Sequence, residues 1–542
     1  MRHFAPAILL SVLFSVASQA APRRDQPDNV PDACTSIMVG KKASVDGSVI
    51  TSHSCDGNYR AWLNVVPAAK HGAEAQREIW WGRPHTETPD DLRGMTKKGQ
   101  IPQALETHGY INTAYPFMND AQLAIGETTF NGRKELENKE GLFLIEELQA
   151  IALERCTTAR EAIRLMGSLA EQHGYGDSGE CLTVADKKEV WQFEIMGAGP
   201  DKVGAVWAAV RIPDEHVGVS ANIPRIGEVD TSKPDRYMAS ANIFTLGVEK
   251  GWWDPKKEPF KFWRVYGGVK KPYAIRDFFI LSTLAPSLGL TMEMDELPFS
   301  VKPEKKVGVE TVFAYFRQTY EGTEYDRFKN LLVPKTRRRD EPPLPEGQEP
   351  EIIRSPAVNP WMNADLIALV NAVKPGTIQN QRTIAVPQCA YSHVTQLRDW
   401  LPDEVGGVAW FSFDNPGQSP RIPLFAGCTA VPKPFEIDPQ KKFRMDSAAW
   451  AFRRANRLAQ VRWGQTKDIL NAAIMEYETK GLLELPTVEQ RAKDMLKQDG
   501  SLEGRAKVRE YLTAYSGDFS RSAMQRWIEL GDTFWAMFAR GF

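Results

Sequence analysis

Residues 34–57 read CTSIMVGKKASVDGSVITSHSCDG, and the order of signals in this stretch decides how the chain is read. Cys34 opens a short apolar run, Thr35 to Gly40, with the composition of a buried strand. The pair Asp46-Gly47 is a turn signal, and the apolar residues resume at 48–53. Two strands joined around that turn form a hairpin, which brings residues 53–56 back beside the start of the first strand. Asp56 then falls next to Cys34, with His53 and Cys55 in the same neighbourhood. Asp56-Gly57 also reads as the next turn, and spacing alone does not separate the two readings.

What precedes Cys34 gives it its interest. Arg2 and His3 lead into the apolar stretch Phe4–Ala17, followed by Ser18-Gln19-Ala20. That is the layout of a secretory signal, residues 1–20, cut after Ala20. The apolar run is short for a bilayer-spanning helix, so the expectation is a periplasmic or secreted protein, free of the membrane once the leader is removed. Residues 21–33 carry three prolines, five charges and almost no aliphatic side chains. Such a segment cannot bury enough surface to order itself, and it reads either as a spacer or as a propeptide. If Ala33–Cys34 is cut, the thiol of Cys34 lies beside a free α-amine. Terminal amines ordinarily titrate at about 7.7–8.0, so this one is able to act as the thiol's base. A lone cysteine at a strand start is otherwise an ordinary buried residue.

The bulk properties exclude several classes. The chain has 542 residues, 42% hydrophobic and 25% charged, with net charge −2. It is long enough for one large core or several smaller ones, and it lacks the basic footprint of a nucleic-acid binder. The run Lys335–Arg339 is answered by Asp340 and Glu341 and reads as a solvated loop. The six cysteines form no C-x-x-C pair and the eight histidines show no ligand spacing, so no metal and no cofactor is expected. In an oxidising compartment Cys156–Cys181 and Cys389–Cys428 are the candidate disulfides, leaving Cys34 and Cys55 free. Connectivity itself is not readable from sequence, and neither is the oligomeric state, which leaves a homo-oligomer open.

Strand signals follow at 121–130, at 181–196 as a hairpin and at 205–222 as a second hairpin. Helical periodicity covers 140–155 and 158–173, the latter capped by Thr157, and a further helix is expected over 275–292. The Pro-rich acidic segment 340–360 is a loop or linker. Strands at 381–393 and 405–413 read as completing the first sheet or as opening a new domain. The tail, 446–482 and 486–541, is helical. The pattern is α+β, with helices stacked on largely antiparallel sheet. Asn222 ends the strand VGVSAN, where its amide could donate to an oxyanion, although asparagine is common at strand ends. Glu127, Thr128 and Thr129 close the strand LAIGETTF and could line the same cleft.

These residues carry a resemblance. The opening run continues as AYPFMNDAQLAIGETTFNGRKEL at 114–136, GLFLIEELQAIALERCTTAREAI at 141–163, GYGDSGECLTVADKKEVWQFEIMGAGP at 174–200 and VWAAVRIPDEHVGVSANIPRIG at 206–227. Together they resemble the cysteine-type N-terminal-nucleophile (Ntn) dipeptidases related to the secernins, and more distantly the bile-salt hydrolase and penicillin V acylase group. The likeness covers most of 34–230 and, more loosely, the chain to about 430, with helical 431–542 beyond. It implies an Ntn-hydrolase αββα four-layer sandwich, a propeptide at 21–33, self-cleavage that exposes Cys34, and hydrolysis of dipeptides without a cofactor. In the family pattern Cys34 falls on the nucleophile and Asp56 on the carboxylate beside its amine, while Asn222 falls on the asparagine of the oxyanion region in the distant acylases. Glu127 and Thr128, from their place on the strand, are the candidate substrate-binding residues. The sequence departs from that pattern at His53, where many relatives carry arginine, and at Thr128, where the acylases place asparagine. A later arginine of the pattern falls near Arg264. The same scaffold also serves N-acyl amide hydrolysis, and a non-catalytic binding protein retaining the fold is a third reading.

Overall fold

The computed structural model describes residues 33–336, 340, 342–438 and 442–538. The leader at 1–20 and all of the expected propeptide except Ala33 lie outside the described residues. The hairpin expected from the opening run is present. Strand β1 (Ser36–Val39) runs antiparallel to β2 (Val49–Asp56), with Val39 opposite Ile50. Gly47 turns the chain at φ 86°, a backbone conformation that only glycine adopts without strain. Asp46 Oδ1 closes the turn by accepting from Ser48 N at 3.0 Å and Ser48 Oγ at 2.6 Å. Thr35 faces Ser54 at the far end, and the Ala33 N–H donates to the Asp56 carbonyl at 3.0 Å.

All eight residues of β2 are buried, although most carry hydroxyl, imidazole or carboxylate groups. A buried polar strand is tolerable only if its groups find partners. Ser52 Oγ accepts from Ile37 N at 2.8 Å and donates to Ile37 O at 2.9 Å, while Ser54 Oγ accepts from Thr35 N at 3.1 Å. Two serine side chains thus substitute for backbone pairing between β1 and β2. Thr51 Oγ1 reaches across to Thr183 O at 3.1 Å.

β2 lies at the centre of a seven-stranded sheet. Its order is Ser300–Val301, Val217–Ser220, β1, β2, Cys389–Leu397, Val408–Phe413 and Ile422–Phe425. A second, eight-stranded sheet runs Tyr237–Ala239, Ala205–Arg211, Val190–Gly197, Gly179–Ala185, Ala124–Asn131, then three short strands ending at Asn64–Val66. The pairings in both sheets are antiparallel. The sheets approach closely at Gly126, where any side chain would collide with the Ser52 carbonyl and the Thr183 hydroxyl. Helices α1 (Ile145–Arg155) and α2 (Ala159–His173) cover the eight-stranded sheet, Gly167 of α2 admitting the Trp207 indole. Helices Val309–Phe316, Ala448–Val461, Trp463–Gln498 and Leu502–Phe538 pack toward the other, through contacts such as Phe313 on Trp410 and Phe452 on Phe413. The chain is therefore a mixed α/β fold of antiparallel sheets with C-terminal helices.

Several expectations are corrected. Residues 205–222 are not a hairpin, because Ala205–Arg211 and Val217–Ser220 belong to different sheets. Both are apolar and short, and periodicity does not reveal which partner each strand takes. The cap of α2 is Thr158 rather than Thr157, in a capping box with Glu161. The helix expected over 275–292 stops at Leu284, ahead of Pro286. The 340–360 segment contributes a strand, Ile352–Arg354, paired with Leu332–Pro334. The tail helix does not break near 486: Trp463–Gln498 passes through Pro486, which is exposed. None of the six cysteines is paired. Cys181 accepts from Ser220 Oγ at 3.2 Å, Cys389 donates to Tyr391 O at 3.1 Å, and Cys428 faces Ser516 Oγ at 3.3 Å. The strands expected at 381–393 and 405–413 complete the first sheet as Cys389–Leu397 and Val408–Phe413, the first beginning later than expected.

Candidate active site

The hairpin register delivers the Ala33–Cys34 peptide to Asp56. Asp56 is buried, and its Oδ2 accepts from Arg382 Nη2 at 2.7 Å and from Ser54 Oγ at 3.3 Å. The same Arg382 nitrogen donates to the Ala33 carbonyl at 2.7 Å. Asp56 Oδ1 has no hydrogen-bond partner among the described residues, and a buried carboxylate oxygen left without a donor is costly. On the other side of the peptide, Arg276 donates to the Cys34 carbonyl and, at 2.9 Å, to Thr35 Oγ1. One arginine therefore grips the carbonyl before the Ala33–Cys34 bond and another the carbonyl after it.

Cys34 is 2% exposed. Its thiol lies in a cluster with His53 and Glu127 in which one donor atom from each falls within 4.8 Å of the others. This Cys/His/carboxylate set has the chemistry to hold a borderline-soft divalent ion and equally to exchange protons. His53 Nε2 sits 3.3 Å from Glu127 Oε2, both side chains fully buried. Burial pushes the His53 pKa down, but contacts with Cys34 and Glu127 more than reverse this and raise it to about 9. At neutral pH His53 is therefore an imidazolium. The rings of Tyr115, Tyr391 and His393 surround His53 edge-on, each with its centroid 5.7 Å away. His393 is held neutral, its pKa driven well below the usual value by burial and then by the His53 charge.

Cys34 itself is a protonated thiol in this state. Its hydrogen bond with Cys55, its burial and the Glu127 charge push its pKa well above the usual thiol range, against a lowering influence from His53. Burial likewise pushes Cys55 up to about 11. Glu180 stands opposite Thr129 on the next strand, and burial followed by the Glu127 charge pushes its carboxyl well above the carboxylate range.

Asn222 sits at φ 63°, in the left-handed region that asparagine enters more readily than most residues. Its Nδ2 donates to Thr129 O at 2.7 Å and its Oδ1 accepts from Arg276 Nη2 at 2.8 Å. It thus joins the ends of the Ala124–Asn131 and Val217–Ser220 strands and orients the arginine that holds Cys34. Thr128 presents its hydroxyl to Ser220 Oγ at 2.6 Å, so it ties the two sheets together while Glu127 reaches the thiol. Arg264 is not at the site. It is on the surface, 47% exposed and paired with Glu258 at 2.6 Å. The arginine that reaches Cys34 is Arg276, buried near the start of helix Ile275–Leu284, with its pKa lowered to about 10 by burial and then by Arg382. Sequence reasoning missed Arg276 and Arg382, and it placed His53 in the neighbourhood of Cys34. Arg276-Asp277 are the only charges in an apolar helix, a signal that was available. Arg382 lies in the run NQRTIAVP, which carries none.

A buried thiol bracketed by arginines, with an imidazole and two carboxylates around it, is the site of a cysteine-type hydrolase. The profile of peptidase family C69 matches residues 33–476, and the chain belongs to that family. It is 25% identical over 504 residues to a probable dipeptidase of Latilactobacillus sakei, covering 90% of this chain and 92% of that protein. It is 26% identical to a probable dipeptidase of Salmonella dublin, covering 73% and 81%. It is 21% identical to dipeptidase A of Lactobacillus helveticus, covering 77% and 80%.

Proposed function

We propose that this protein hydrolyses dipeptides by an N-terminal cysteine nucleophile, on the αββα scaffold of the Ntn hydrolases. The observation that carries the reading is the setting of Cys34: a closed-off thiol at the end of a hairpin, with an unpartnered carboxylate oxygen of Asp56 beside the peptide bond that precedes it. Removal of Ala33 would open the thiol and leave an α-amine for Asp56 to orient. Stacked antiparallel sheets with helices outside them support the scaffold. The leader at 1–20 and the segment 21–33 fit export to the periplasm or medium followed by propeptide loss.

In the reaction the α-amine of Cys34 takes the thiol proton and the sulfur attacks the substrate carbonyl. The oxyanion accepts from donors near Asn222, and the peptide C–N bond breaks as the amine returns the proton to the leaving nitrogen. Water then cleaves the thioester and restores the thiol. Glu127 supports a dipeptide rather than an N-acyl substrate. In an amino acid the ammonium nitrogen lies about 2.5 Å from the carbonyl carbon, and the attacking sulfur approaches that carbon to about 3–3.5 Å. The ammonium therefore lies within roughly 6 Å of the sulfur, and a Glu127 carboxyl oxygen lies within 4.8 Å of that sulfur, so the two are within reach of each other. A hydrogen bond to a charged group contributes about 1.5–3 kcal/mol, so N-acetylation of a dipeptide should lower kcat/KM by roughly 10- to 100-fold. Cys34→Ala should abolish hydrolysis. Full activity in that variant would end the mechanism, and a preference for N-acyl substrates would move the activity to the acylase class.

A further inference from the structure

We infer that Arg382 is a catalytic residue of the self-cleavage at Ala33–Cys34, supplying the positive charge on which the oxyanion of that step forms. This rests on the reading that the chain matures by cutting this bond. In the cut, Cys34 Sγ attacks the Ala33 carbonyl carbon. A C–S bond forms and the carbonyl oxygen becomes an alkoxide. The C–N bond then breaks, so that the thiol proton is lost from sulfur and one is gained by the departing Cys34 nitrogen. Water hydrolyses the resulting thioester, leaving a carboxylate on Ala33 and the free thiol and α-amine on Cys34.

Charge develops in this sequence on the Ala33 carbonyl oxygen, and the group aimed at it is the Arg382 guanidinium, 2.7 Å away. That distance is already the one an oxyanion donor needs. The guanidinium is held there by its second contact, the 2.7 Å bond to Asp56 Oδ2, whose own position is fixed by the β1–β2 register. Both bonds leave from one nitrogen, Nη2, so each of its two N–H groups has one oxygen as its acceptor. Arg276 performs the complementary task by fixing the Cys34 carbonyl through two backbone and two side-chain oxygens. The scissile peptide is thus held on both sides while its carbonyl alone is polarised by a charge that also touches Asp56.

The test is to synthesise the full chain in a cell-free system and follow the Ala33–Cys34 bond by intact mass for wild type, Arg382→Met and Arg382→Gln. Removing one oxyanion donor costs about 100- to 1,000-fold in rate, so both variants should remain largely joined while wild type is cut. Millimolar methylguanidinium should restore part of the cutting, which a merely structural loss would not permit. Thermal melting identifies the variant that folds, and either one is sufficient. A folded variant cut as fast as wild type overturns the assignment and leaves the maturation reading intact. A folded variant that stays joined and does not respond to methylguanidinium also overturns it. Wild type that stays joined would instead defeat the maturation reading itself.

Discussion

Replacing Glu127 by Gln tests the electrostatics of the site through the stability of the whole fold. His53 has a native pKa of about 9 against an ordinary 6.5. A group whose native pKa is raised binds its proton more tightly folded than unfolded. Its contribution is complete below pH 6.5 and is lost as pH rises through 9. At about 1.36 kcal/mol per pKa unit the His53 contribution is about 3 kcal/mol. At 3.3 Å and an effective dielectric constant of about 20, the Glu127 charge offers a gross attraction of about 5 kcal/mol. That exceeds the net 3 kcal/mol because burial of the imidazolium subtracts from it. Cys34 is the first cause of the rise and Glu127 the next, so Gln, isosteric but neutral, should remove the Glu127 share of it. Urea denaturation across pH gives the readout. Wild type should be more stable than Glu127→Gln below pH 6.5 by a part of that contribution of about 3 kcal/mol, and the gap should close as pH passes 9. A gap that is constant across this window, or that widens with pH, would refute the reasoning.

Asn222→Ala should lower kcat by about 100-fold or more, with a smaller effect on KM, because it removes both an oxyanion-side amide and the acceptor that orients Arg276. Steady-state kinetics on a dipeptide measure it, and a change confined to KM would contradict the assignment. Gly126→Ala should destabilise the fold by about 1–3 kcal/mol or more, since the new Cβ meets the Ser52 backbone and not a movable side chain. Thermal melting checks it, and an unchanged melting temperature would show that the sheets are not tightly apposed there.

The opening hairpin was legible because its turn chemistry and its register agree: Asp46-Gly47 fixes where the chain reverses, and counting outward from it brings Asp56 to Cys34. The nearness of Asp56 and His53 to Cys34 was legible for the same reason. Glu127 was singled out from the end of the strand LAIGETTF, and it lies beside Cys34 and His53. Arg276 and Arg382 were not, because they enter from residues more than 200 positions downstream of Cys34 and only the packed fold brings them there. The 205–222 error has a related cause. Strand propensity identifies Ala205–Arg211 and Val217–Ser220, but partner choice depends on the stacking of two sheets whose strands look alike. The two candidate disulfides failed because each cysteine is buried in surroundings of its own, an arrangement that loop lengths do not encode.

The central claim is that the reactive group is the Cys34 thiol together with an α-amine that exists only once Ala33 is gone. The most direct measurement is the N-terminal residue of purified, fully active enzyme, read by intact mass and terminal sequencing. The account predicts a chain beginning at Cys34. Full dipeptide-hydrolysing activity in a chain that still carries Ala33 would contradict it.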